Sequence, residues 1–131
     1  MSMEFVTRRI SAAPDMIAPD GSEVRILAAA TRGSMAQFTL PPGAVSRAVA
    51  HRSVEEVWLF TGGRGRLWRR LGAQEETIEV SQGVSISIPV GAGFQFRCDG
   101  DMPLTAVGVT MPPWPGESEA HAVEGVWQPT A

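Results

Sequence analysis

The sequence predicts an all-β domain of the sandwich or barrel class. Short segments alternate apolar with polar residues, turn signals recur about every 8 to 12 residues, and almost no segment has helical periodicity. The chain has 131 residues, a length typical of one domain. At this size folding buries roughly two-thirds of the unfolded surface, which permits a core without disulfides. We therefore expect a single all-β domain with few or no helices.

Turn residues divide the first half of the chain into short strands. Two prolines and an Asp-Gly pair in residues 13–21 predict a loop, and residues 3–10 could add a strand at a sheet edge. Residues 56–61 are largely apolar on both faces, which predicts burial on both sides. The strands expected here are Glu23 to Ala30, Met35 to Leu40, Ala44 to Ala50 and Glu56 to Thr61.

The second half continues this pattern and then changes character. The strands expected here are Leu67 to Leu71, Thr77 to Val80, Val84 to Ile88, Phe94 to Cys98 and Leu104 to Thr110. Residues 111–116 read M-P-P-W-P-G, and three prolines in so short a segment favour an extended strap over a central strand. The strap either packs Trp114 and Trp127 over the barrel or onto a partner, or it forms a lid or pocket wall.

Two segments carry spaced motifs that resemble the signature motifs of the cupin superfamily. The first contains Gly43, His51, Glu56 and Gly63 at the spacing of the first cupin motif. The second has Gly83, Pro89 and Gly91 at the spacing of the second motif. The resemblance implies a double-stranded β-helix, a jelly-roll-like barrel. It places the barrel core at about residues 22–110, with an N-terminal edge segment at 1–21 and a C-terminal strap at 111–131, all within one cupin domain, 1–131.

The resemblance also implies a metal site that is partly degenerate. Cupins as a family use three His and one Glu to hold one divalent ion. Of these positions the chain retains His51 and Glu56, whereas Val49 and Phe94 occupy the other two. Two donors are too few for firm binding, because catalytic sites usually need three protein ligands. We expect no firmly bound cofactor, with a divalent Fe, Mn, Ni or Zn ion at His51 and Glu56 as the alternative.

Strand alternation and the resemblance together predict which side chains line the barrel interior. A largely apolar lining suits a small, partly apolar ligand with a polar end. Alternatively, the same side chains fill the barrel completely. The expected ligand pocket consists of Arg47, Val49, His51, Glu56, Trp58, Phe60, Phe94 and Phe96.

Three functional hypotheses follow from this lining. The first is a small-molecule-binding cupin that is either non-catalytic or uses His51 and Glu56 as an acid/base pair. The second is a metal-dependent cupin enzyme, of the isomerase or oxygenase type, with an unusual ligand set. The third is a structural dimerisation module with a filled barrel. For His51 and Glu56 the plain alternative to catalysis is a buried, hydrogen-bonded remnant of the family's site.

Composition limits the partners. The net charge of −3 gives no general attraction to nucleic acid or anionic lipid, and the absence of Lys excludes Schiff-base chemistry through a lysine side chain. The arginines at 64, 66, 69 and 70 predict a solvated or Glu-paired hairpin. No apolar run is long enough for a membrane helix, and a single Cys favours a cytoplasmic setting. Richness in Arg, Ala, Gly and Pro is typical of a GC-rich bacterial genome. Outward-facing Val57 and Leu59 lead us to expect a homodimer.

Overall fold

A computed structural model describes residues 4–131, and these residues form mainly strands. The described residues contain no α-helix and one 3-10 turn, Glu117–Glu119. No helix in this part of the chain has the length and apolarity needed to cross a membrane. The strands are β1 Met16–Ile17, β2 Glu23–Ala29, β3 Ser34–Leu40, β4 Val49–His51, β5 Glu55–Gly62, β6 Arg64–Leu71, β7 Gln74–Ser81, β8 Ser85–Ile88, β9 Gly93–Cys98, β10 Leu104–Met111 and β11 Ala120–Ala122.

Two antiparallel sheets enclose the core. The first contains six strands in the order β1-β2-β3-β10-β5-β8, and the second contains five in the order β11-β4-β9-β6-β7. Several neighbouring strands come from distant parts of the chain, as where β10 lies between β3 and β5. This interleaving is typical of a jelly-roll barrel. The predicted all-β, jelly-roll-like fold is confirmed.

Strand β5 illustrates how alternation builds the core. Trp58 and Phe60 point inward and are 3% and 0% exposed, whereas Val57 and Leu59 point outward and are 46% and 47% exposed. Because successive side chains of a strand face opposite sides, one face of β5 belongs to the core and the other lies on the exposed outer face of the sheet. The prediction that this strand is buried on both sides is therefore wrong for the single chain.

Strands β6 and β7 each begin three residues before the expected starts at Leu67 and Thr77, and two other segments depart further from the expectation. The strand expected at 44–50 is reduced to the three residues of β4 and an isolated bridge between Val45 and Arg97. At the N-terminus residues 4–10 form no strand, and residue 3 lies outside the described residues. The edge strand is instead β1, which pairs with β2 inside the segment predicted as a loop.

Glycines in the two motifs stand where the backbone needs them. Each adopts a positive φ angle, which side chains with a Cβ rarely tolerate. Gly63 lies in the turn between β5 and β6, and a Cβ there would lie 2.3 Å from the carbonyl oxygen of Pro103. The motif glycines with positive φ are Gly43, Gly63, Gly83 and Gly91. The spacing of these glycines therefore reflects the positions of tight turns.

The end of the chain packs over the outer face of the second sheet. The buried amide of Gln95 donates to the carbonyls of Ser46 and Trp127 at 2.8 and 2.9 Å, and its oxygen accepts from the backbone of Val126 and Trp127. A Cβ at Gly125 would lie 2.4 Å from that amide oxygen. The strap can therefore approach Gln95 this closely only because residue 125 is a glycine. Gln95 therefore points away from the interior, as alternation from Phe94 predicts.

Trp127 extends this contact across the outer face. The guanidinium carbons of Arg66 and Arg97 lie 5.7 and 5.4 Å from the centre of its ring, within cation–π range. Both arginines also bind the carboxylate of Asp99. The placement of Trp127 over the barrel agrees with the packing interpretation of the strap.

One arginine of the arginine-rich hairpin is paired with a Glu, as the sequence predicted for this segment. Arg69 forms an ion pair with Glu76 across the β6–β7 turn, and Arg70 lies 5.8 Å from the ring centre of Trp68. Glu75 accepts a hydrogen bond from Trp68 Nε1 at 2.8 Å. These side chains have partners on the hairpin itself.

Cys98 is a buried residue at the end of β9. Its side chain is 1% exposed, and its thiol donates to the carbonyl of Met102 at 3.1 Å. The thiol is therefore part of the packed interior.

Candidate functional site

A cavity of about 380 Å³ opens between the two sheets at one end of the barrel. Its wall is mainly apolar, and a few polar groups converge at one side. A barrel filled by its own side chains does not contain such a space. The residues that line it are Met16, Ile17, Ala18, Pro19, Asp20, Val24, Ile26, Ala29, Ser34, Met35, Ala36, Phe38, Val49, His51, Glu56, Trp58, Phe94, Thr110, Pro113, Trp114 and Glu117.

His51 and Glu56 meet at the polar side of this cavity. His51 lies on β4 and Glu56 on β5, so each comes from a different sheet. His51 Nδ1 lies 2.9 Å from Glu56 Oε2, and the two side chains are 6% and 3% exposed. The distance is that of a hydrogen bond, but the ring N–H is not aligned with the carboxylate oxygen. Both atoms are therefore buried without a hydrogen-bond partner.

Neighbouring aromatic rings hold this pair in place. Glu56 Oε1 accepts a hydrogen bond from Trp58 Nε1 at 3.2 Å. The imidazole of His51 contacts Phe94 and Trp114 edge-on, with ring centres 5.3 and 5.1 Å apart. Packed rings restrict the orientation of an imidazole, so Phe94 and Trp114 fix the direction in which the nitrogen atoms of His51 point.

Five of the eight residues predicted to line the pocket do so. They are Val49, His51, Glu56, Trp58 and Phe94.

Phe60 and Phe96 are inward-facing but lie in the packed core behind Trp58. Their ring centres are 6.0 and 5.2 Å from that of Trp58, and their side chains are 0% and 1% exposed. The barrel is thus filled on that side of Trp58 and open on the other.

Arg47 was expected in the pocket and is exposed instead. Its Nε donates to the carbonyl of Ala131 at 3.1 Å, and its backbone N–H donates to the carbonyl of Asp20. The prediction fails because strand β4 begins at Val49, so two-residue alternation cannot be extended back to residue 47.

Asp20 is a site residue that the sequence interpretation missed. It lines the cavity and is 6% exposed, and its Oδ1 accepts from the backbone N–H and the hydroxyl of Ser22 at 2.9 and 2.7 Å. The Asp-Gly pair was interpreted as a turn signal, which is correct for the backbone and does not indicate where the carboxylate points. Its burial had no sequence signal.

Burial raises the pKa of Asp20 above its ordinary value. Desolvation disfavours the charged carboxylate, while the hydrogen bonds from Ser22 act in the opposite direction. The charge of Glu56 raises this pKa further and that of His51 lowers it. The three groups therefore influence one another electrostatically across the cavity.

The strap supplies a second part of the cavity wall. Pro113, Trp114 and Glu117 line the cavity, and the backbone N–H of Trp114 donates to Ser34 Oγ at 2.9 Å. The packing and pocket-wall interpretations of the strap therefore both hold, for different tryptophans. Trp127 covers the outside of a sheet and Trp114 closes the cavity.

Glu119 ties the strap to the barrel. It is 6% exposed, and its carboxylate accepts hydrogen bonds from the hydroxyl of Ser53 and the backbone N–H of Val54 at 2.8 and 2.7 Å. Although burial opposes the effect, hydrogen bonds from Ser53 and Val54 lower the pKa of Glu119. The charged carboxylate is thus the form that holds the strap.

The donor set at this site does not fit a firmly bound divalent metal. Residues 4–131 contain no group of three or more His, Cys, Asp or Glu side chains placed to hold one ion. Val49 and Phe94 are register partners across β4 and β9, face the same cavity and carry no donor atom. We therefore derive no chemistry through a metal here.

The opposite pKa shifts of Asp20 and Glu119 predict opposite effects of pH on stability. The folded state binds the Asp20 proton more tightly than the unfolded chain does. Asp20 therefore reduces the free energy of unfolding as the pH rises from about 3.8 through its raised pKa. For Glu119 the folded pKa is lowered, so its contribution is present above about 4.5 and is lost as the pH falls through the lowered value.

The measurement is the thermal unfolding midpoint between pH 3 and 8. Relative to wild type, Asp20→Asn should gain stability as the pH rises, and Glu119→Gln should lose it. Equal slopes for the two variants would contradict the assignment of these shifts.

Comparison with known proteins agrees with the resemblance of the motifs. The family model for the cupin domain matches residues 36–110, more than half of the chain. None of the curated proteins matches the sequence.

Solved structures with a fold similar to that of this chain include the following three. Oxalate decarboxylase from Bacillus subtilis at pH 4.6 is 19% identical with a TM-score of 0.68, covering 82% of this chain and 29% of its own. A Bacillus halodurans protein is 21% identical with a TM-score of 0.64, covering 76% of each chain. The capsular polysaccharide assembling protein CapF from Staphylococcus aureus is 19% identical with a TM-score of 0.66, covering 79% of this chain and 32% of its own.

At these identities the likeness concerns the fold. The chain spans about a third or less of the oxalate decarboxylase and CapF chains it resembles. A further study of the B. subtilis oxalate decarboxylase describes Mn(II) centres in that enzyme. The family match, the paired motifs and the jelly-roll topology agree, and the chain belongs to the cupin family.

Proposed function

We propose that this cupin binds a small, predominantly apolar molecule in its cavity, with the polar end of the molecule held at His51 and Glu56. The observation that supports this most directly is an apolar cavity that ends on two buried polar atoms without hydrogen-bond partners. Buried polar atoms that lack a well-formed hydrogen bond cost free energy, and a ligand group that forms one with them recovers it. In this proposal the family's metal site is degenerate and its remaining donors serve as ligand contacts.

Ala36→Phe tests this proposal, because residue 36 lines the cavity and a phenyl ring there occupies the ligand's space. The probe is benzyl alcohol, which has an apolar ring and a neutral polar end. We expect the variant to bind it at least about tenfold more weakly than wild type, measured by NMR titration. The matched control is Ala28→Phe on β2, where the residue is exposed and does not line the cavity.

Binding by both variants as tight as by wild type would contradict the cavity as the site. Loss of binding in both would point to a general effect on the fold, which circular dichroism of each variant detects.

A second candidate function is general acid–base catalysis by the same pair. The 2.9 Å approach of His51 Nδ1 to Glu56 Oε2 within the cavity favours it, since proton transfer needs groups at this range beside the ligand. Turnover that is lost in His51→Gln while binding persists would separate catalysis from simple binding.

A metal-dependent isomerase or oxygenase is the less supported alternative, because its donor set is incomplete. Near-stoichiometric Fe, Mn, Ni or Zn in protein purified without a histidine tag, lost on His51→Ala, would overturn the binding proposal in its favour.

Restoring the two missing donors tests the degenerate site directly. In Val49→His combined with Phe94→His, both new imidazoles replace cavity-lining side chains opposite each other in β4 and β9. With His51 and Glu56 they complete a four-donor set, so we expect Mn²⁺ affinity at least about tenfold above that of wild type. Isothermal titration calorimetry measures it. His51→Ala in the double variant should remove the gain, and no gain at all would refute the alignment of these positions.

We further propose that a second copy of the chain covers the outer face of the six-stranded sheet. Val57 and Leu59 are exposed there by 46% and 47%, and Val109 and Val107 of β10 are their register partners. An apolar face at the centre of a sheet is suited to a self-complementary contact across a two-fold axis. Sedimentation equilibrium should find a dimer that Leu59→Arg converts to monomer. A wild-type protein that is monomeric at about 100 μM would refute this proposal.

A further inference from the structure

The polar side of the cavity carries more acidic than basic side chains. Asp20, Glu56 and Glu117 come from three separate segments of the chain and all line it. His51 is the one basic side chain among the lining residues. The cavity is therefore acidic where it is polar.

The arginines lie elsewhere on the molecule. Among the described residues none of them lines the cavity. Arg52, the nearest in sequence to His51, is exposed and donates to the carbonyl of Ser118, and Arg47 is exposed and donates to the carbonyl of Ala131. Arg66 and Arg97 bind Asp99, and Arg69 binds Glu76. The acidic groups of the cavity therefore form no ion pair with an arginine of the described residues.

Two of the carboxylates are deeply buried, and one of them has an oxygen without a well-formed hydrogen bond. Glu56 Oε1 accepts from Trp58, whereas Oε2 lies 2.9 Å from His51 Nδ1 but is not aligned with the ring N–H. Asp20 Oδ1 is occupied by Ser22, and the carboxylate as a whole is 6% exposed. Burial of a carboxylate is costly unless a cation or a hydrogen-bond donor pairs with it. A ligand that brings either one stabilises this arrangement.

The walls beside these carboxylates are aromatic. Trp58 contacts Phe38 and Phe94 with ring centres 4.9 and 5.7 Å apart, and Trp114 contacts His51. The faces of such rings attract cations as well as apolar groups. Carboxylates and aromatic rings together recur in sites that recognise ammonium groups.

We propose that the cavity takes an organic cation, an amine or small quaternary ammonium on an apolar body, with its charge against the carboxylates of Asp20 and Glu56. The apolar body lies against the aromatic wall. This inference rests on the proposed binding function and names its ligand class. It separates the chain from a binder of small carboxylate anions, which need an Arg, a Lys or a metal to hold them.

Three probes of one shape and different charge test the proposal: benzylamine, benzyl alcohol and benzoate. At pH 7 the amine is a cation, the alcohol is neutral and benzoate is an anion. We expect benzylamine to bind at least about tenfold more tightly than benzyl alcohol, and benzoate to bind more weakly than either. NMR titration or calorimetry measures all three against the same protein.

Charge-removing variants locate the effect. Asp20→Asn and Glu56→Gln keep the shape of the side chain, and each should weaken the binding of benzylamine at least about fivefold more than it weakens the binding of benzyl alcohol. The matched control is Glu55→Gln, which removes the neighbouring carboxylate on the exposed face of β5. It should leave all three affinities unchanged.

The outcomes separate this inference from the proposed function. If benzyl alcohol binds and benzylamine binds no more tightly, the charge preference is wrong and the binding function stands. If none of the probes binds, both are wrong. If benzoate binds most tightly, or if Mn²⁺ alone binds and displaces benzylamine, the cavity serves an anion or a metal ion and the organic-cation proposal is overturned.

Discussion

The contact between His51 and Glu56 is the constraint on which the site depends. It joins β4 of one sheet to β5 of the other, so its geometry is determined by how the two sheets pack. An imidazole and a carboxylate in an apolar interior must be compensated, and here the ring N–H is not aligned with the carboxylate oxygen. The barrel thus holds two buried polar atoms that a ligand group could hydrogen-bond. Every functional inference about this cupin depends on that arrangement.

Aromatic packing decides how much of the barrel is open. Trp58 divides the interior: Phe60 and Phe96 fill one side of it, and the cavity occupies the other. Gly108 makes room for this ring, because a Cβ there would lie 2.6 Å from Trp58 Cδ1. The chain therefore combines a close-packed core, which supplies stability, with an unfilled end, which leaves space for a ligand.

The C-terminal strap links the site to the rest of the structure. Gln95 and the ring of Trp127 attach it to the outside of one sheet, while Trp114 forms part of the cavity wall. Glu119 anchors the segment between them through Ser53 and Val54, close in sequence to both His51 and Glu56. Changes in the strap would therefore be felt at the polar side of the cavity.

Local patterns in the sequence were sufficient to predict most of the fold. Alternation in β5 and the glycines at the turns are short-range features, because side-chain direction and positive φ depend on neighbouring residues alone. The same alternation placed Val49, Trp58 and Phe94 in the cavity correctly. It failed at Arg47, where the chain is not yet a strand, and a local pattern has no information about where a strand begins.

By itself the sequence determined the β-barrel class, the motif spacing and the presence of Val49 and Phe94 at two motif positions, since each is a matter of residue identity and local periodicity. Tertiary structure alone decided that Asp20 joins the cavity, that Trp114 closes it and that Arg47 does not enter it. These outcomes follow from contacts between residues far apart in the chain. Such contacts depend on the packing of whole sheets, and no local residue pattern encodes them.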